Sequence, residues 1–178
     1  MPQSRAFLVL LGFGGLLVPT VAVGQDDNYP NRKPIIVNTC PFVELSGFSF
    51  ANKGGDRTRF ETSMSWKNIG TQPLIAFEII TLKYDAFDRR LIGERWTVKG
   101  KDSVDWRPLQ PGALGSDGTI SLGSQEVFTA IAYVRSARLA DNTVWAVNDL
   151  QLVTELRKVV PGIKDLGDLK PDTKAKPQ

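Results

Sequence analysis

Hydrophobic and polar residues alternate with a period of two along most of this chain. At residues 60–67 the even positions carry Phe60, Thr62, Met64 and Trp66, and the odd ones Glu61, Ser63, Ser65 and Lys67. Successive side chains of a strand point to opposite sides, so this pattern predicts a strand with one buried face and one wet face. Asn68, Gly70 and Pro73 then supply turn chemistry. The next run, residues 74–85, changes phase: Ile75, Phe77 and Ile79 share one face, and Ile80, Leu82 and Tyr84 share the other. Two readings explain the switch, a central strand buried on both sides or a β-bulge near Ile79 and Ile80. The same slip separates Val43 and Leu45 from Phe48 and Phe50 across Ser46-Gly47. A glycine at such a slip points to a bulge.

Further strands are expected at residues 91–98, around 104–106, as a short segment at 119–122, and along the long apolar run 127–139. Asp141-Asn142 tolerates positive φ and marks a tight turn into a returning strand at 143–147. Only one segment has helical spacing. Leu152, Val153, Leu156, Val159 and Val160 recur on one face, Asn148 and Gln151 stand like a capping box, and Pro161-Gly162 stops the element. A strand continuing through Leu150 and Leu152 is the rival reading. The predicted fold is all-β: an antiparallel immunoglobulin-like β-sandwich of seven to eight strands with a short C-terminal helix. A small closed barrel is the alternative architecture.

The two ends of the chain follow other rules. Residues 1–24 place Arg5 before an apolar run and finish on Ala22-Val23-Gly24, the pattern of a secretory signal peptide cleaved before Gln25. The run is too short and too broken by Gly and Pro to be an anchor, since spanning a bilayer takes about 20 apolar residues. Residues 25–34 read as a flexible leader, 35–160 as the sandwich domain with its terminal helix, and 161–178, rich in Lys, Asp, Pro and Gly, as a flexible tail. Cleavage takes one arginine from 22 Lys and Arg set against 19 Asp and Glu, which leaves a net charge of +2. A balance so close to neutral, with no basic run, does not form a nucleic-acid footprint. No integral membrane segment remains after the signal. The expected location is outside the cytoplasm, periplasmic or extracellular.

Residues 60–91 resemble the FxLYD-type modules, small immunoglobulin-like sandwiches of exported bacterial proteins. The likeness rests on Trp66-Lys67-Asn68-Ile69-Gly70, on Pro73-Leu74-Ile75, and on Tyr84-Asp85-Ala86-Phe87-Asp88. The Phe-x-Leu-Tyr-Asp core stands here as Ile80-Thr81-Leu82-Lys83-Tyr84-Asp85, with one extra residue before the tyrosine. The resemblance implies a non-enzymatic extracytoplasmic module and transfers no catalytic residue.

Candidate chemistry is sparse. The chain has no histidine and one cysteine, Cys40. Serine and cysteine nucleophilic sites that use an imidazole base are therefore excluded, and the commonest transition-metal ligand is missing. No catalytic, cofactor-binding or metal-binding residue is assigned, and no cofactor is expected. Cys40 lies between Thr39 and Pro41 and reads as a small buried hydrophobe, with pairing between chains as the rival. Asp85 with Asp88, Glu94 or Asp105 is the one carboxylate pairing open to hydrolysis. Asp85 and Asp88 sit where two strand patterns meet, however, and there aspartate shapes turns. Trp66 and Trp145 fall inside strand patterns and read as core. Trp96 and Trp106 lie among charged neighbours and are the candidate ligand or partner contacts.

The functional expectation is an exported non-catalytic module that binds a protein or an envelope component, with the oligomeric state left open. The alternatives are a carboxylate-based glycan or cell-wall hydrolase and a structural or adhesive subunit. The export expectation has a direct check. Protein recovered from the native host should begin at Gln25 by intact mass and N-terminal peptide mapping, and material beginning before Ala22 would contradict it.

Overall fold

The computed structural model describes residues 33–52, 59–99, 107–122 and 126–167. Eight strands run in the order β1 Lys33–Val37, β2 Val43–Asn52, β3 Arg59–Asn68, β4 Leu74–Tyr84, β5 Arg90–Lys99, β6 Leu114–Leu122, β7 Thr129–Leu139 and β8 Val144–Ala146, followed by helix α1, Asp149–Val159. They form two sheets. The larger has the order β1-β7-β4-β5, with β8 beside β7, and the smaller has the order β2-β3-β6. This is the expected all-β sandwich of eight strands with a C-terminal helix.

One pairing departs from an antiparallel scheme. β1 lies parallel to β7 from Lys33↔Thr129 to Val37↔Tyr133, and β8 takes the far end of the same β7 edge antiparallel. Residues 33 and 34, expected in the leader, are thus part of a strand. The leader's earlier residues, the signal segment and the strand expected around 104–106 lie outside the described residues.

The interior between the sheets gathers Val43, Leu45, Met64 and Trp66 from the small sheet against Leu74, Phe77, Ile79, Ala132 and Val134 from the large one. Trp66 meets Phe77 edge to face at 5.5 Å. Cys40 is buried in this layer, and desolvation pushes its thiol pKa up, so the sulfur stays protonated and inert. A second apolar layer covers the opposite face of the large sheet. Leu82, Tyr84, Ile131 and Tyr133 meet Leu152, Val153 and Leu156 of α1 there. The large sheet is therefore buried on both faces, which is why β4 and β7 are apolar at consecutive positions. Both readings of the β4 phase change hold. Its second half is buried on each side, and its register against β7 slips between Glu78 and Ile79. The slip at Ser46-Gly47 is also a bulge, located between Leu45 and Gly47.

Local chemistry sets the element ends. The Asn148 side chain accepts a hydrogen bond from Gln151 N at 3.0 Å, which caps α1, and Arg157 and Lys158 sit in its last turn. Asn142 takes φ 68° in the β7–β8 hairpin. The tail expected from residue 161 differs at its start. Ile163 and Leu166 are buried in the second layer, and Tyr84 Oη donates to Asp165 O at 2.9 Å. Two apolar side chains and one hydrogen bond anchor residues that composition alone marks as tail.

Asn68 joins three segments. Fully buried at the end of β3, it donates through Nδ2 to Gln72 O at 3.0 Å and to Leu109 O at 2.8 Å, and it accepts from Gly70 N at 2.9 Å. Asn68→Ala should lower unfolding stability by about 3 kcal/mol, because the side chain's partners stay buried without replacement. A denaturant midpoint unchanged from wild type would refute that role.

Candidate functional site

Among the described residues β5 and β6 each end their sheet, and the sandwich is open along the side between them. A cleft of about 500 Å³ occupies this opening, walled by Glu94, Trp96 and Val98 of β5 and by Asp117 and Thr119 of β6. The β5 wall depends on a bulge. Thr81 pairs with Glu94 but Lys83 pairs with Leu91, so β5 sets Ile92 and Gly93 opposite the single residue Leu82. One extra residue inverts the facing of everything beyond it. Leu91 packs into the sandwich interior before the bulge, and Trp96 and Val98 pack into it after. Only glycine fits at 93, since a Cβ there would stand 2.1 Å from Thr81 O.

The bulge also turns Glu94 inward, where it meets Lys83. Lys83 Nζ lies 2.6 Å from Glu94 Oε1, with its side chain only 3 % exposed, and 5.2 Å from the centroid of the Phe50 ring. Glu94 Oε2 accepts from Trp96 Nε1 at 3.2 Å. Thr81 Oγ1 accepts from Glu94 N at 3.0 Å and holds the bulged backbone. Glu94 thus ties a buried cation to the indole of the cleft wall. Thr62, the β3 partner of the cleft residue Thr119, has a buried hydroxyl without a hydrogen-bond partner.

The candidate residues from the sequence fall in different places. Trp96 is half-buried, with one side against the sandwich core and the other on the cleft. Trp106 and Asp105 lie outside the described residues. Trp66 is core, and Trp145 is half-buried beside both apolar layers. Asp85 and Asp88 form the β4–β5 loop. Asp85 Oδ1 accepts from Phe87 N at 2.8 Å and Arg89 N at 2.9 Å, while Asp88 holds φ 59°. Asp85 closes its own loop, whereas Glu94 points between the sheets and both its oxygens are engaged. Among the described residues no group of three or more potential metal ligands converges. The sequence reading missed Lys83 as part of the site. Its signal was visible, a lone lysine inside the apolar run of β4.

No family model matches the chain, and no curated protein sequence matches it. Among solved structures it is similar to a hypothetical protein from Peptoclostridium difficile 630, with a TM-score of 0.47 at 10% identity over 67% of this chain and 91% of that one. It is also similar to a DUF1425 family member from Shewanella sp. pv-4, with a TM-score of 0.38 at 10% identity over 52% of this chain and 76% of that one. Likenesses this distant transfer no ligand and no residue role. Among the described residues, no helix is long and apolar enough to cross a membrane.

The ion pair inside the sandwich gives a measurable signature. Glu94→Ala should cost about 3 kcal/mol, because Lys83 is then buried without its counter-charge, whereas Lys83→Met combined with Glu94→Gln should recover most of that loss. Equal losses in the single and double variants by chemical denaturation would mean that the loss does not come from leaving Lys83 unpaired.

Proposed function

We propose that the chain is an exported, non-catalytic β-sandwich module that binds an extended segment of a partner protein along the opening between β5 and β6. The observation that carries this reading is the contrast between the two strands bordering the opening. β5 ends the large sheet with a bulge and with Arg95 and Lys99 exposed, features that discourage edge pairing. β6 reads LGSDGTISL and has no Lys, Arg or Pro, with Asp117 as its one charge and Leu114 and Ile120 exposed. An edge of nine residues with so little protection accepts an added strand through its backbone groups. The cleft beside it offers the apolar faces of Trp96 and Val98 to a side chain of that strand. The resemblance of residues 60–91 to FxLYD-type modules supports the same class of protein, and the signal-like first 24 residues support its export.

Capture from the native envelope, followed by titration of the recovered partner, tests the reading. Trp96→Ala should weaken the complex about ten-fold, as loss of a buried aromatic anchor does. Ile120→Lys should abolish it, whereas Ile69→Lys, also exposed but on the β3–β4 turn, should leave it intact. Equal affinity for all of these variants would overturn the assignment of the surface. A glycan fragment cleaved by the wild type and not by Asp117→Asn would replace binding with hydrolysis.

A further inference from the structure

The opposite face of the large sheet holds a second, smaller cavity, distinct from the β5–β6 opening and independent of its reading. Its volume is about 130 Å³, and its polar wall consists of Arg90 and Arg95 from β5 with Tyr133 and Arg135 from β7. Ile80 and Leu82 form its floor, and Leu166 closes one side. Three guanidinium groups and a phenol facing one small space is a cationic arrangement. Local carboxylates answer it only in part.

Arg135 Nη1 pairs with Asp149 Oδ1 at the start of α1, and Arg95 Nε lies 3.4 Å from Glu78 Oε1. Arg90 has no such partner among the described residues. Its Nε and Nη1 are buried and make no hydrogen bond. Gly167, at φ 66°, packs its backbone directly against the guanidinium. On the adjoining segment Asp165 O receives Tyr84 Oη at 2.9 Å and Asp165 Oδ1 receives Gly167 N at 2.8 Å, and neither meets Arg90 Nε or Nη1. The hydroxyl of Tyr133 keeps its proton well above neutral pH, since burial pushes its pKa up to about 12. It faces the cavity as a neutral donor, not as a competing anion.

We infer that this cavity is a binding site for one small oxyanion, a phosphate or carboxylate group, taken up chiefly by Arg90. A half-buried guanidinium with two buried, unmet N–H groups is costly, and an anion is the partner that removes the cost. Arg135 and Arg95 already face carboxylates, which leaves Arg90 as the guanidinium with N–H groups open to a ligand. The volume admits a single such group and excludes a bulky ligand.

Titration of the full chain with inorganic phosphate, and separately with acetate, against sodium chloride at matched ionic strength tests the site. Nitrogen-proton NMR of the arginine side chains should show the Arg90 Nε signal moving in a saturable way, with the signal of exposed Arg157 unchanged. Saturation by phosphate alone, acetate alone or both supports the inference and identifies the group bound. Arg90→Gln should weaken the saturable thermal stabilisation by about ten-fold or more, the loss expected for a hydrogen bond to a charged group. Arg90→Lys should restore part of it. Should Arg90→Gln fail to fold, the Arg90 signal of the wild-type chain decides alone. An Arg90 signal that moves no more than that of Arg157 with either anion would overturn the inference, as would equal stabilisation of wild type and Arg90→Gln; water alone would then occupy the cavity.

Discussion

The residue that β5 inserts opposite Leu82 determines what both faces of that edge present. Without it, strict alternation would carry the interior face from Leu91 to Gly93 and Arg95. With it, Glu94, Trp96 and Val98 face the sandwich interior, and Arg95 faces the cavity on the other side. The bulge is possible because Gly93 lets the backbone approach Thr81 O, and because the Thr81 hydroxyl meets the Glu94 amide. One backbone irregularity thereby supplies Trp96 to the cleft and Arg95 to the cationic cavity. This agrees with the general tendency of bulges to re-aim side chains near functional surfaces.

The second constraint is that the large sheet is covered twice. A two-layer sandwich leaves one face of each sheet to solvent, but here α1 and residues 161–167 add a third layer over β7 and β4. The added layer reaches the start of β5, where Gly167 packs against Arg90, and the cavity lies beside that contact. On the sandwich side the mismatch is different. The small sheet covers the large one with three strands, and the far edge stays open between β5 and β6. Lys83 and Glu94 fill the interior near that opening as an ion pair. A buried pair of this kind adds little net stability compared with apolar packing, and its specific consequence here is to fix the indole of Trp96.

Much of this architecture was legible in the sequence, and the parts that were not share a cause. The strand at β3, the bulge at Ser46-Gly47, the turn at Asp141-Asn142 and the cap at Asn148 are local, and their residue types report local backbone demands. The parallel pairing of β1 with β7 joins residues nearly a hundred positions apart, and no periodicity encodes such a choice. β6 was expected only at 119–122, because Gly115, Asp117 and Gly118 have poor strand propensity, yet pairing with β3 extends it from Leu114. Residues 161–167 looked like tail because Ile163 and Leu166 stand among polar neighbours, and the surface receiving them exists only once β4 and α1 are assembled. Trp96 was legible as a candidate because a large aromatic stood among charges. The grouping of Arg90, Tyr133 and Arg135 was not, since it depends on the order of strands across the sheet.

Asp85 and Asp88, expected to shape a turn, do so, and Arg90 of the same segment carries the proposed anion site. Asp85 and Asp88 resemble a catalytic pair in KYDAFDRRL, but Asp85 is engaged by the amides of its loop and Asp88 holds a left-handed turn. Arg90, the last arginine of that same segment, is the charged residue among those whose buried polar atoms the described fold leaves unmet. Native folds leave few buried polar groups unsatisfied, and a charged one is the most expensive kind. Against Gly167 and beside Tyr133, the two unmet donors of Arg90 are what the proposed anion would satisfy.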